Sequence, residues 1–363
     1  MKTVACDLCG SSKTTLLFAL PDQQFPTDSQ SFRIVECRGC GLIYLNPRPE
    51  GEDLAAYYPK EFYDGLEPDR RDHTEQRSSS RRARRKMRRR ALLERFYGYP
   101  SSTDAHASRG NRLLSAIKTA RLSLERWRLR IGGREAAIIP FVGEGRLLDV
   151  GCASGKDLEP FIETGWNVTG VEFNPDAASV TRRRYGIKVL AGEFEQVPFG
   201  DERFDVVRFS HTLEHLPSPT RALEKVYRLL QPGGLLWIEV PNAGSADRQL
   251  FGTHWFCWDL PRHLYHFTPQ TMTRLLGSTG FQPVKMRCDG RTNFFTESVI
   301  RVMESRLGIR PRRMKFLTTI VRPLIYVLGA MNRGAVMTVH ARKNESEAQG
   351  SPGGRPVMVT GAN

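Results

Sequence analysis

The sequence predicts an α/β protein whose main part is a parallel sheet covered by helices on both faces, with a small cysteine-bearing unit ahead of it. Three observations predict this. From Gly145 onward, short runs rich in β-branched residues alternate with helical segments, the pattern of strands buried on both faces. The first run, Leu147 to Gly155 (LLDVGCASG), passes straight into a glycine-bearing turn and then a helix. The seven cysteines begin with two close pairs, Cys6/Cys9 and Cys37/Cys40, whereas Cys152, Cys257 and Cys288 stand alone.

Residues 1–50 read as a metal-binding module. The knuckles CDLCG and CRGCG are 27 residues apart, and each can wrap two thiolates around one ion while Gly10 and Gly41 permit the tight turn behind the second sulfur. Four thiolates leave no open coordination position, so Cys6, Cys9, Cys37 and Cys40 form a structural site; zinc is expected, and iron also suits four soft ligands. Such pairing is metal-site arithmetic and not a disulfide framework. The start MKTVACDLCG lacks the apolar run and cleavage site of a secretory leader, so a reducing cytoplasm is expected.

Residues 51–110 read as a linker. It contains Arg81–Arg90, RRARRKMRRR, with eight of ten residues basic, a large part of the net charge of +15. Basic on every side, the run has no face to bury and reads as solvated and partly disordered; the alternative is an anionic partner such as membrane headgroups, a phosphorylated substrate or nucleic acid. Residues 111–343 form the main domain. Its leading helices show in the spacing of Leu113, Leu114, Ile117, Leu122, Leu124, Trp127, Leu129 and Ile131. The Gly-, Ser- and Glu-rich tail 344–363 reads as disordered.

Within the main domain, RLLDVG is the first strand, followed by a helix over 157–164; NVTGVEF is the second, followed by a helix over 175–185. IKVLAG and FDVVRFSH are the third and fourth strands. A helix over 219–230 stops at Pro232-Gly233-Gly234, and LLWIEVPN is the fifth strand. A helix over 269–278 precedes GFQPVKMRC, and VMTVHARK closes the sheet. The apolar stretch Phe316–Met331 is broken by Arg322, Pro323 and Gly329, short of the roughly 20 apolar residues of a spanning helix. It reads as a helix packed on the sheet or, with Arg310, Arg312, Arg313 and Lys315 beside it, as peripheral contact with the inner face of an anionic membrane.

Ligands of open α/β sheets bind at the carboxyl ends of the strands, where the turn 151–155 must lie. Gly151 and Gly155 let backbone approach a ligand, but Ala153 and Lys156 stand where a dinucleotide fingerprint needs glycine, which argues against NAD. Glu172, twenty-one residues after Gly151, ends the second strand, where a carboxylate can accept both hydroxyls of a ribose. Glu193 follows the third strand, placed to accept from an adenine amino group with Phe194 as an apolar wall, and Ser210 ends the fourth.

With LLDVGCASG, GVEFNP, AGEFEQVPF, FDVVRFSHTLEHLPSP, LLQPGGLLWIEVPN and the closing GF strand in order over residues 145–343, the chain resembles the class I S-adenosylmethionine-dependent methyltransferases. The resemblance implies a Rossmann-like, doubly wound sheet of seven strands with the last antiparallel, and S-adenosylmethionine as cofactor. It implies that Gly151 and Gly155 hold the methionine part, Glu172 the ribose and Glu193 the adenine amino group, that Asp149, Ala153, Phe194 and Ser210 also belong to the cofactor site, and that Glu214 and His215 shape its floor. Ala153 departs from the usual middle glycine and Glu193 from the commoner aspartate. The N-terminal knuckles with GLIYLNPRP and YYPKEFY resemble the zinc-ribbon-like module of many bacterial methyltransferases of sugar, polyketide and cell-envelope pathways.

Methyl transfer from a sulfonium is an in-line displacement, so the enzyme mainly positions the acceptor and, where needed, takes its proton. Candidate bases are His211 and His215 after the fourth strand, and His254, His263 and His266 in GTHWFCWDLPRHLYHFTP, a segment expected to overhang the site; each also fits a hydrogen-bonded structural role. His211, Glu214, His215 and one of His263 or His266 also have the donors for a divalent metal. The expected acceptor is a small molecule, glycan or lipid-linked molecule of natural-product or envelope biosynthesis. A nucleic-acid methyltransferase ranks second, because no N/DPPY-type tetrad is present, and a non-catalytic protein of the same fold ranks third.

Overall fold

Leu147, Leu148, Val206, Val207, Phe209, Leu236, Ile238 and Val339 carry no exposed surface, because each lies on a strand covered from both sides. The structure, a computed structural model, describes residues 1–25, 30–59, 76–101, 112–132, 134–309, 311 and 314–343. The tail 344–363 and Arg310, Arg312 and Arg313 lie outside the described residues.

The N-terminal unit consists of antiparallel strands β1 (Thr14–Pro21), β2 (Ser31–Cys37) and β3 (Ile43–Leu45), followed by the short α1 (Glu52–Ala55). Helices α2 (Gln76–Phe96) and α3 (Arg112–Ile131) lead into the main domain. The basic run expected as a solvated linker is thus part of a regular helix. Residues 84–89 keep their basic side chains exposed, while Leu92 and Leu93 at the apolar end of α2 are buried and anchor it.

The main sheet uses β4 (Arg146–Val150), β5 (Asn167–Glu172), β6 (Lys188–Ala191), β7 (Phe204–Ser210) and β8 (Leu230–Pro241). Helices α4 (Glu159–Ile162), α5 (Pro175–Tyr185) and α6 (Pro219–Leu229) separate these strands. After β8 come α7 (Ala246–Phe251), the two-residue strand β9 (Tyr265–His266), α8 (Pro269–Ser278), β10 (Phe281–Asp289), α9 (Thr292–Leu307), α10 (Lys315–Ala330) and β11 (Val336–Lys343). The order is β6-β5-β4-β7-β8-β11-β10, with β11 antiparallel to both neighbours and the first five strands parallel. This is the doubly wound, seven-stranded sheet with an antiparallel last strand that the sequence predicts. The chain leaves β4 toward β5 on one side and β7 on the other, so a crevice opens beside the carboxyl end of β4. No described helix is long and apolar enough to cross a membrane.

The N-terminal unit is joined to the main domain by a shared sheet. β9, in the segment after β8, pairs with β3 through Ile43↔His266 and Tyr44↔Tyr265. Asp7, inside the first knuckle, accepts from the Ser218 hydroxyl (2.6 Å) and the Thr220 amide (2.9 Å), capping α6 from outside. Arg48 donates to the Tyr265 hydroxyl at 2.7 Å. Below these contacts, the fully buried Arg262 pairs with Asp22 (2.7 and 2.9 Å) and Asp259 (2.7 Å) and donates to the Tyr57 carbonyl.

The late apolar stretch is helix α10. Val321 and Ile325 pack on Phe295 of α9, which gives the helix its buried side. Phe316, Ile320, Leu324 and Val327, spaced along another face, remain exposed.

Candidate active site

The turn after β4 is built by positive φ at Gly151 (78°), Ala153 (46°) and Gly155 (72°). A Cβ at Gly151 would stand 2.5 Å from Thr212 Oγ1, and one at Gly155 2.6 Å from Thr181 Cγ2, so both positions require glycine for space as well as for backbone. Ala153 adopts the conformation of the glycine it replaces, at a cost of about 1–2 kcal/mol. The surrounding structure holds it there: its amide donates to Glu172 Oε2 at 2.8 Å, and its carbonyl accepts from the Thr181 hydroxyl at 2.7 Å.

Glu172 ends β5 nearly buried, and its other oxygen accepts the Asn174 amide at 2.9 Å. Burial holds its carboxyl above the usual range, opposed by those amide bonds. Each oxygen spends one lone pair on backbone and keeps another, so two acceptor positions remain for the hydroxyls of a ribose. Asn174 then caps α5 through bonds to the Asp176 and Ala177 amides. Asp149 is buried, with burial pushing its carboxyl up against the pull of Arg208, whose guanidinium pairs with it at 2.6 Å and lies over the Trp237 ring. Its reach to a ligand is therefore shared with an ion pair that spacing alone did not reveal.

A cavity of ≈ 660 Å³ opens above this turn. Asp149, Gly151, Ala153, Glu172, Glu193, Phe194 and Ser210 line it together with His211, His215, His263, Phe256 and Phe294 and with Gln24, Leu54 and Tyr58 of the N-terminal region, while Gly155 does not reach its wall. Phe194 is packed edge-on against Phe199 and Phe209, as an apolar wall requires. Gln24, Tyr58 and Phe294 were missed by sequence reasoning, because tertiary pairing brings them here, while Phe256 and Asp259 come from the segment expected to overhang the site.

The histidines separate by surroundings. His211 sits between Glu214 (3.4 Å) and Glu239 (3.5 Å); burial disfavours its charge, but the two carboxylates outweigh it and push it up to about 10. In that charged form the ring has no lone pair with which to take a proton. Burial and the nearby His263 push His215 down to about 4. His215 Nδ1 lies 2.9 Å from the Tyr58 hydroxyl and 3.1 Å from the Arg262 carbonyl, and His263 Nδ1 lies 2.9 Å from the Cys257 carbonyl. His266 is buried against Trp258 and does not line the cavity, nor does His254. Packing also accounts for Trp255 and Trp258, which meet each other edge-on deep in the core, so the aromatic density of this segment reflects its anchoring as well as the site.

The four N-terminal thiols converge, with one ligand atom from each within 4.8 Å of the others. Cys6 and Cys40 sulfurs are 3.5 Å apart and Cys9 and Cys37 sulfurs 3.4 Å apart, far beyond a disulfide bond. Their clustering and donor chemistry fit one tetrahedral soft-ligand ion.

Residues 116–286 match the family described as "Methyltransferase domain". The chain is 33% identical over 130 residues to a malonyl-[acyl-carrier protein] O-methyltransferase of Serratia marcescens, covering 36% of this chain and 50% of that one. It is 31% identical over 160 residues to a ubiquinone biosynthesis O-methyltransferase of Cereibacter sphaeroides, covering 41% and 64%. The chain thus spans about half the length of the curated relatives it matches. Among solved structures, an S-adenosylmethionine dependent methyltransferase from Mesorhizobium loti is similar, at 20% identity and a TM-score of 0.40, covering 58% of this chain and 98% of that one. Together with the sheet order and the turn at its carboxyl edge, the family match identifies residues 116–286 as a methyltransferase domain of the S-adenosylmethionine-dependent class.

Proposed function

We propose that this protein transfers the methyl group of S-adenosylmethionine to a small or lipid-linked acceptor bound under the N-terminal unit. The observation that carries the reading is that one cavity is lined by Gly151 and Ala153 of the turn, by Glu172, by His215 and His263, and by Gln24, Leu54 and Tyr58. Its ≈ 660 Å³ is in the range of a pocket for small molecules. Glu172 accepts the ribose hydroxyls, Glu193 and Phe194 receive the adenine, and the turn takes the methionine part. The cofactor supplies the electrophilic methyl; the protein aligns the acceptor atom with it and excludes water. Since a carbonyl only accepts, the bond to Cys257 puts the His263 proton on Nδ1 and leaves the lone pair on Nε2, whereas His215 Nδ1 meets both the Arg262 carbonyl and the Tyr58 hydroxyl. His215 and His263 both line the cavity and are the candidate groups for taking the acceptor's proton.

Similar chains are named for ubiquinone and acyl-carrier-protein acceptors, which supports a hydroxyl or carboxyl acceptor on a hydrophobic or carrier-borne molecule. Incubation with methyl-labelled S-adenosylmethionine and a metabolite and lipid extract is expected to place label in the organic phase. Label found in nucleic acid, or in nothing, contradicts this reading.

Cys6, Cys9, Cys37 and Cys40 hold one structural zinc in this account, and the zinc unit serves as the wall of the acceptor end. The protein works at the surface of an anionic membrane, on the inner, cytoplasmic side. Exposed Phe316, Ile320, Leu324 and Val327 provide shallow apolar burial, and exposed Arg306 and Arg322 with the basic face of α2 provide attraction worth about 1 kcal/mol per residue close to the surface. Co-sedimentation with anionic vesicles at low salt and release at high salt are expected; protein that stays in the supernatant at low salt refutes the membrane contact.

A further inference from the structure

Beside the cavity three metal-type donors converge, two of them the histidines that the methyl-transfer reading also uses and the third, Glu214, outside it. Glu214, in the short helical turn Leu213–His215, is 1% exposed, and neither of its carboxylate oxygens has a hydrogen-bond partner. His211 Nδ1 stands 3.4 Å from Oε1 but outside hydrogen-bond geometry, and among the described residues Oε2 has no such neighbour. A buried carboxylate that accepts no hydrogen bond is costly to keep, and because the His211 charge is shared with Glu239, Glu214 has room for a further cation.

One ligand atom from each of Glu214, His215 and His263 lies within 4.8 Å of the others. The two imidazoles are oriented from behind, His215 Nδ1 by the Arg262 carbonyl at 3.1 Å and His263 Nδ1 by the Cys257 carbonyl at 2.9 Å. A ring held from behind by a backbone carbonyl is the support found behind metal-bound histidines; His215 Nδ1 also meets the Tyr58 hydroxyl at 2.9 Å, and His263 Nε2 stands 3.8 Å from the Asp259 carboxylate. Both imidazoles line the cavity, so an ion held by them faces the acceptor.

We infer that Glu214, His215 and His263 form a binding site for one divalent first-row metal ion, with coordination positions left open toward the cavity. Two neutral imidazoles and one carboxylate suit Mn²⁺, Fe²⁺, Co²⁺ or Zn²⁺ better than Mg²⁺ or Ca²⁺, which prefer all-oxygen cages. The open positions take an oxygen donor, so the acceptor class is one bearing a hydroxyl or carboxylate oxygen. His211 stays outside the set, held between Glu214 and Glu239. The inference goes beyond methyl transfer and is tested without turnover.

Mn²⁺ is the probe, because four thiolates match it poorly and the cysteine cluster then stays out of the measurement. The full chain is first dialysed against a weak chelator, with the metal of the cysteine cluster verified as retained, and is then titrated with Mn²⁺ while free Mn²⁺ is followed by electron paramagnetic resonance. One Mn²⁺ per chain is expected. Glu214→Gln and His263→Gln are expected to weaken binding at least about tenfold, with far-UV circular dichroism and cluster metal unchanged. A wild-type chain that takes up no stoichiometric Mn²⁺ overturns the site whatever the variants do, and variants that bind as tightly as wild type overturn the assignment of its ligands.

Discussion

Replacing Cys37 and Cys40 together with serine is expected to release the N-terminal metal and to lower the thermal transition of the whole protein by more than about 10 °C. A structural zinc site contributes on the order of 10 kcal/mol, as much as the total stability of many domains. The loss does not stay local. The second knuckle ends β2 and leads into β3, which carries β9 as its neighbour, and the first knuckle supplies Asp7 to the start of α6. Unfolding of the unit therefore also removes the wall formed by Gln24, Leu54 and Tyr58 from the cavity. Metal analysis with differential scanning calorimetry checks this; one bound zinc per chain in wild type and almost none in the variant is the expected pair of results. A variant that melts with wild type contradicts the coupling.

The second large effect is expected at Arg262. Its guanidinium has no exposed surface and neutralises Asp22 and Asp259, of which Asp22 is itself buried. Removing one member of a buried ion pair leaves the other charge stranded, which costs about 3–5 kcal/mol. Arg262→Ala is expected to lose that much in urea unfolding, and Arg262→Met to recover little, since it restores volume without charge. Arg262→Met combined with Asp22→Asn and Asp259→Asn is expected to be more stable than Arg262→Met alone, because no carboxylate is then left unpaired. Equal stability of the single and triple variants refutes the ion-pair explanation.

The parts legible in the sequence are those written in local chemistry. Alternation of buried strands and helices places β4, β5, β7 and β11 where they are found, and α5 and α8 start at Pro175 and Pro269 because Asn174 and Thr268 cap them. Glycines that must bear positive φ mark the turn at Gly151 and Gly155, and Glu172 follows from its place at the end of a strand. What the sequence hides depends on partners far along the chain. β9 is two residues long and reads as loop, since its reason for being a strand is β3, more than two hundred residues earlier. Arg262 looks like any surface arginine until Asp22 is placed on it. The basic run has no apolar face of its own, yet it is helical because the helix continues into Leu92 and Leu93, which are buried. His211 is an attractive base by position, and only the approach of Glu239 from the neighbouring strand reveals the competing role.

The central claim is that the crevice beside β4 binds S-adenosylmethionine with Glu172 as its ribose acceptor, and calorimetric titration of the cofactor into wild type and Glu172→Ala tests it most directly. Glu172 has two roles in this account, accepting the ribose hydroxyls and holding the Ala153 amide at 2.8 Å, so the variant loses both ligand contacts and the shape of the turn. One cofactor per wild-type chain is predicted, with binding weakened in the variant by about 2–3 kcal/mol, roughly 30- to 150-fold. No heat of binding in wild type, or equal affinity in the two proteins, would contradict the account.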